Sequence, residues 1–275
     1  MKHTLPDGLS LYYEFWEKEP QIPTLVFLNG LSQSTAAWTP FAKMFGKEFN
    51  ILLVDLIFQG ASDAGREYRS FEQHAADVAH LVEKLRKQGK VSQIVPIGIS
   101  YGGAVAQRLM YQESETIARA ILISTFAHRT PYFDFIGLGW RRSLLAGGYE
   151  LMLDVMLPLV LGQEYFFNPL VPIEDLRKTR LLNNLDTQSL LKLMEATEKS
   201  GDFRPKLRHL NMPTLVVQGQ DDPLTTPEMG RAIADALPKA RFELIKHKGH
   251  TLNLEAIPEL MALISDFLSP LSNSI

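Results

Sequence analysis

Short, uninterrupted apolar runs punctuate this chain and constrain its fold more than any other feature. They read TLVFLNG (Thr24–Gly30), FNILLVD (Phe49–Asp55), QIVPIGI (Gln93–Ile99), RAILIST (Arg119–Thr125), TLVVQGQ (Thr214–Gln220) and RFELIK (Arg241–Lys246). Continuous rather than alternating hydrophobicity in segments this short marks strands covered on both faces, as in a parallel sheet between helices. Helical patterns lie between the runs. In the clearest, Phe71, Ala75, Val78, Val82 and Leu85 share one face, while Glu72, Lys84 and Lys87 lie away from it. Ser70 and Gln73 are spaced for a capping box at its start. Ahead of the first run, LPDGLSLYYEFW predicts a hairpin turning at Pro6–Gly8 into an alternating, aromatic-rich strand.

The alternation stops after Thr125. From Phe126 to about Pro205 no buried-strand run occurs; aromatics, a Met- and Leu-rich stretch and the helix-like DTQSLLKLMEATEKS take its place. The expected fold class is therefore α/β, with a mostly parallel central sheet flanked by helices and an inserted, mainly helical lid. Residues 1–125 and 206–275 would form the core, and 126–205 the lid.

Length and composition narrow the function. At 275 residues there is room for one substantial domain with an inserted lobe, and a net charge of −3 offers no attraction to nucleic acid. Cysteine is absent, which excludes disulfides, thiolate metal sites and a cysteine nucleophile. The histidines lack metal-ligand spacing, so no metal is expected. MKHTLPDGLS has no apolar core of a signal peptide, and the greasiest stretch, Leu151–Leu161, is interrupted by Asp154 and Pro158. A cytoplasmic protein without a transmembrane segment is the expectation; oligomeric state is left open.

One strand-to-helix junction carries possible chemistry. GISYG (Gly98–Gly102) has the G-x-S-x-G spacing that lets a serine occupy a sharp turn, its hydroxyl lifted off the backbone. Alone, Ser100 is equally well read as a small residue at a packing turn. A nucleophilic serine also needs an acid and then a histidine, each just after a later strand. After TLVVQG stand Asp221 and Asp222; after RFELIK stand His247 and His250. Each has a plain alternative as a turn or solvated loop residue. Together, their order at successive strand ends favours catalysis.

With these residues the chain resembles the α/β-hydrolase superfamily over nearly its whole length. The resemblance implies that the acid lies three positions beyond the glycine ending its strand, which selects Asp222 after Gly219. It also implies a histidine in a GH followed by apolar residues and a glutamate, which selects His250 among Gly249, His250 and Glu255. By the same resemblance the backbone N–H groups of Tyr101 and Leu31 form the oxyanion hole, the latter in FLNGLSQ, where Asn29 replaces the usual histidine. A serine, rather than aspartate, at the elbow counts against haloalkane dehalogenases and epoxide hydrolases. No cofactor is implied.

Local stretches are also similar to 3-hydroxyacyl transacylases and the hydroxyacyl synthases of rhamnolipid precursors. These are Asn29–Gly30, DLIFQGAS (Asp55–Ser62), DPLTTPE (Asp222–Glu228) and GHTLNLE (Gly249–Glu255), although Tyr101 stands where that group has Trp. Thr225 and Thr226 could instead simply begin the helix that Pro227 opens. The expected activity is hydrolysis of an ester or thioester of a small-molecule acyl substrate, with a lipophilic acyl group suggested by the lid's aromatics and by Met152 and Met156. Acyl transfer is the alternative, followed by carbon–carbon bond hydrolysis; a catalytically silent ligand-binding fold is the non-enzymatic one. Arg141 and Arg142 could meet a carrier phosphate, but an exposed basic pair is more simply solvated.

Overall fold

The computed structural model describes residues 1–182 and 185–272, so residues 183–184 of the expected lid and 273–275 of the expected core lie outside it. The chain opens as a hairpin. Strand β1 (Lys2–Thr4) pairs antiparallel with β2 (Ser10–Trp16), and Gly8 in the connecting turn adopts φ of 87°. Then the alternation begins: β3 (Thr24–Leu28), α1 (Thr39–Phe45), β4 (Asn50–Asp55), α2 (Phe71–Lys87), β5 (Ile94–Ile99), α3 (Tyr101–Gln112) and β6 (Ala120–Ile123). An insertion follows, comprising α4 (Pro131–Val160), α5 (Gln163–Phe167), α6 (Ile173–Leu182), α7 (Thr187–Glu198) and α8 (Arg204–Leu207); among its described residues there is no strand. The chain closes with β7 (Thr214–Gly219), α9 (Pro227–Ala236), β8 (Ala240–Ile245), α10 (Leu252–Glu255) and α11 (Ile257–Ser272).

The strands form one sheet of eight in the order β1-β2-β4-β3-β5-β6-β7-β8, antiparallel at β1–β2 and β2–β4 and parallel from β4 onward. The apolar runs are continuous because both faces are covered. In β3 and β4, Val26, Leu28, Leu52 and Val54 join the side packed by α2, α3 and α9, while Leu25, Phe27, Ile51 and Leu53 join the side packed by α1 and α11. Burial of that kind stabilises by about 25 cal/mol per Å² of apolar surface and supplies most of the driving force for the sheet. The exception is β8. Its sequence run matches the others, yet it is the sheet's outer edge, and within it only Ile245 is buried. Arg241 there bridges Glu243 at 2.7 Å and also reaches Asp266, charges suited to an edge strand.

Helix α2 starts with the expected capping box: the Gln73 N–H donates to Ser70 Oγ at 3.3 Å, and the Ser70 N–H donates to Gln73 Oε1 at 2.8 Å. Among the described helices, α4 is long and apolar enough to cross a membrane, a feature the sequence reading missed because its charged residues interrupt each run. It is not one straight rod. Gly147 and Gly148 leave helical geometry (φ −144° and 68°), and Leu144, Met152, Leu153 and Met156 pack into the core.

Behind the elbow, His74 on α2 is wholly buried beside the Tyr101 ring, 5.7 Å between centroids. Both its ring nitrogens lack a partner among the described residues, and burial lowers its pKa to about 3. The folded chain thus excludes a proton that the unfolded chain accepts near pH 6.5. Stability is unaffected above that pH and falls as the pH drops from 6.5 toward 3, by about 2 kcal/mol at pH 5 from this group. Urea denaturation at pH 7 and pH 5 checks this: His74→Leu loses less stability between the two than the native chain does.

Candidate active site

Ser100 joins β5 to α3 with φ of 52° and ψ of −115°, a left-handed backbone that costs a non-glycine residue about 1–3 kcal/mol. Its neighbours hold it there. The Ser100 N–H donates to the Ile123 carbonyl at 2.9 Å, while its own carbonyl accepts the Thr125 hydroxyl at 2.7 Å and the Ala104 N–H at 3.1 Å. The two glycines of the pentapeptide are needed for close approach. A Cβ on Gly98 would strike the Gly102 carbonyl, and one on Gly102 would strike the Leu28 and Asn29 carbonyls. The first turn of α3 therefore lies directly on the end of β3. Among the described residues, neither the Tyr101 nor the Leu31 backbone N–H has a protein acceptor, and both residues line a cavity with Ser100. Such a pair of free donors is what an oxyanion requires.

Asp222 follows β7 and is buried in a nest of donors. Its Oδ1 accepts the Leu224 N–H at 2.9 Å and the Thr225 N–H at 3.0 Å; its Oδ2 accepts the Thr225 hydroxyl at 2.8 Å and Gln218 Nε2 at 2.7 Å. The same Oδ2 stands 2.8 Å from His250 Nδ1. A carboxylate so placed accepts the Nδ1–H and leaves Nε2 as the basic nitrogen. His250 and Ser100 line one small cavity of about 50 Å³. Asp221 and His247 do not take part: both are exposed, and Asp221 uses its N–H on the Lys248 carbonyl at 2.9 Å. The structure thus brings Ser100, His250, Asp222, Leu31 and Tyr101 to one end of the sheet.

The short stretches singled out in the sequence each have a local task. Asn29 donates through Nδ2 to the Val54 carbonyl and to Asp55 Oδ1, both at 3.0 Å, and Gln59 Nε2 donates to the Gly30 carbonyl at 2.9 Å. Asp55 also accepts the Thr35 N–H at 2.7 Å and the Ala61 N–H at 2.9 Å. Burial nevertheless pushes its carboxyl above the usual range. Gly60, with φ of 49°, makes room for that carboxylate, which a Cβ there would overlap. Asn-Gly and DLIFQGAS therefore brace one another and fix the turn that carries Leu31. Of the two threonines in DPLTTPE, Thr226 caps α9 while Thr225 clamps Asp222 and lies 3.1 Å from His250 Nδ1. Each of these stretches thus has a structural job beside Ser100 or Asp222.

Sequence reasoning missed the parts played by Gln218, Thr225 and Glu255. Glu255 carries a signal, its place closing the GHTLNLE stretch; Gln218 has none. Glu255 is buried, and its carboxylate accepts the Gly162 N–H at 2.7 Å, the Gly249 N–H at 3.1 Å and the Thr251 N–H at 3.0 Å. Burial raises its pKa, opposed by those three donors. Thr251 in turn donates its N–H and hydroxyl to the Val160 carbonyl at 3.0 and 2.9 Å. The histidine loop is thereby sewn to the end of α4.

The larger cavity, about 360 Å³, runs from Ser100 and Tyr101 under the insertion, walled by Phe126, Phe133, Trp140 and Met194. At its rim Arg141 pairs with Glu198 at 3.4 Å and Arg129 with Asp134 at 2.8 Å; Arg142 is exposed and lines neither cavity. Among the described residues no cluster of His, Asp and Glu is arranged to hold a metal ion. Glu255→Ala strands the buried Gly162 and Gly249 N–H groups, each worth about 1–3 kcal/mol, while the Thr251 N–H keeps the Val160 carbonyl. Thermal or urea denaturation should show a loss of at least about 2 kcal/mol.

Residues 20–256 match the protein family described as serine aminopeptidase, S33. The chain is 28% identical over 236 residues to the pimeloyl-[acyl-carrier protein] methyl ester esterase of Nitrosomonas europaea, covering 83% of this chain and 88% of that one. It is 24% identical over 268 residues to proline iminopeptidase PfmaB of Pestalotiopsis fici, covering 90% and 92%. In three dimensions it is similar to a thermophilic esterase from Thermogutta terrifontis, with a TM-score of 0.84 at 23% identity over 99% of this chain and 98% of that one.

Proposed function

Since the chain belongs to the serine aminopeptidase, S33 family and is an enzyme of the α/β-hydrolase type, we propose that it hydrolyses carboxylic esters or thioesters with a lipophilic acyl group, through Ser100, His250 and Asp222. The observation that carries this is the buried His250–Asp222 pair, 2.8 Å apart, whose histidine lines one cavity with a serine held at positive φ.

In this mechanism His250 Nε2 takes the Ser100 proton as Oγ adds to the acyl carbonyl. Asp222 holds the imidazole by its Nδ1–H and stabilises the imidazolium. The carbonyl oxygen, now an oxyanion, accepts the Leu31 and Tyr101 N–H groups. His250 returns the proton to the departing alcohol or thiol, leaving an acyl ester on Ser100. Water, activated by the same imidazole, adds to that ester, and carboxylic acid leaves with Ser100 restored. The acyl chain lies in the larger cavity, whose walls are largely aromatic and aliphatic. Helices α4 and α7 supply those walls, so they act as the lid over the serine. We take water as the acceptor; the stretches shared with transacylases brace the turn carrying Leu31 and hold Asp222.

The test is a p-nitrophenyl ester series from acetate to decanoate, with hydroxyacyl-carrier thioesters and a prolyl p-nitroanilide as controls. The expected result is a preference for medium acyl chains, with Ser100→Ala abolishing turnover. Turnover that survives Ser100→Ala, or faster cleavage of the anilide, overturns the reading. Asp222→Asn should cost at least about 1,000-fold in kcat, since a related acid-to-amide change costs about 10⁴, whereas Asp221→Asn should stay within about twofold because surface changes of this kind are nearly neutral. Steady-state kinetics of both variants decides between the two aspartates.

A further inference from the structure

Arg180, on α6, brings a positive charge to the small cavity that Ser100 and His250 share. The guanidinium is half-buried, and one of its terminal nitrogens donates to the Ser32 carbonyl at 3.3 Å and to the Ser32 hydroxyl at 3.4 Å. Among the described residues, Ser32 supplies the protein acceptors of its hydrogen bonds. The other arginines around the serine differ. Arg129 and Arg141 line the larger cavity, and each is matched by an acid, Asp134 and Glu198. An arginine fork with unused donors is suited to a planar anion. A second donor lines the same cavity: Trp140 is buried, and its indole N–H has no partner among the described residues.

The two cavities meet at Ser100 but are lined differently. The larger holds Tyr101 and aromatic walls, and His250 is absent from its lining; the smaller holds His250 and Arg180. The departing oxygen must receive its proton from His250. The leaving group therefore belongs in the smaller cavity, opposite the acyl chain. At about 50 Å³ that cavity favours a small leaving group over a bulky one.

We propose that Arg180 is a specificity residue that recognises a carboxylate on the leaving alcohol, so that the preferred substrates are acyl esters of short hydroxy acids. This rests on the Ser100–His250 reading of the site. A neutral alcohol of the same shape would leave the guanidinium partly desolvated and unpaired, which hydrogen bonds to charged groups make worth about 1.5–3 kcal/mol. That corresponds to roughly 10- to 100-fold in kcat/KM.

The test compares O-hexanoylglycolate with O-hexanoylglycolamide, which differ at the leaving group mainly in charge. The native enzyme is expected to favour the acid at least about tenfold in kcat/KM. Arg180→Gln should remove that preference by slowing the acid ester alone, and Arg180→Lys should retain part of it. Equal rates for the two esters, or an Arg180→Gln variant that slows both alike, overturn the proposal. Calorimetric binding of both compounds to the Ser100→Ala enzyme, with and without Arg180→Gln, keeps the anion site testable apart from the chemistry. Tighter binding of the acid that disappears with Arg180→Gln supports the subsite even where neither ester turns over. Equal binding of acid and amide overturns it.

Discussion

The contact on which the site depends is the one between the first turn of α3 and the end of β3. Helix α3 approaches so closely that the Gly102 Cα lies against the Leu28 and Asn29 carbonyls, with no space for a side chain. That approach forces Ser100 into left-handed backbone and sets the Tyr101 N–H beside the turn carrying Leu31. Positive φ at the serine is thus a result of packing, stabilised by bonds from Thr125 and to Ile123. The remaining elements extend this arrangement: β7 and β8 bring Asp222 and His250 to the same end of the sheet, where loops in parallel α/β folds collect ligands and chemistry.

Much of the fold was legible because parallel strands buried on both faces leave an unambiguous trace of unbroken apolar residues. The capping box of α2 was equally plain, since its two side chains interact only with nearby backbone. What could not be read was position within the sheet. RFELIK carries the same apolar content as a central strand, yet it lies at the sheet's outer edge beyond β7, with a neighbour on one side among the described residues. Helix α4 was obscured for a related reason: its apolar residues serve two partly different contacts on either side of the Gly147–Gly148 break.

At the candidate site, order along the chain and strand ends pointed to Ser100 and to two neighbouring pairs, Asp221–Asp222 and His247–His250. Choosing Asp222 over Asp221, and His250 over His247, followed from family spacing and agrees with which side chains are buried in contact. The supporting groups were hidden. Gln218 reads as an ordinary strand residue, and only the return of the chain through Thr225 shows that both hold the carboxylate of Asp222. Arg180 was invisible for a stronger reason: its relation to the serine depends on how α6 is laid over the sheet, which no local pattern encodes.

Glu255 accepts N–H groups from the histidine loop and from Gly162 at once, while Thr251 anchors the Val160 carbonyl. All of the insertion's partners in this seam are backbone atoms. Apart from Gly162, where a Cβ would strike the Gly249 nitrogen and the Glu255 carboxylate, this seam reads the insertion's main-chain path and not its side-chain identities. A grafted insertion would need to reproduce that path through residues 160–162, with glycine at 162, for His250 to stay in register. Cavity shape can then be redesigned above a histidine loop that keeps its footing.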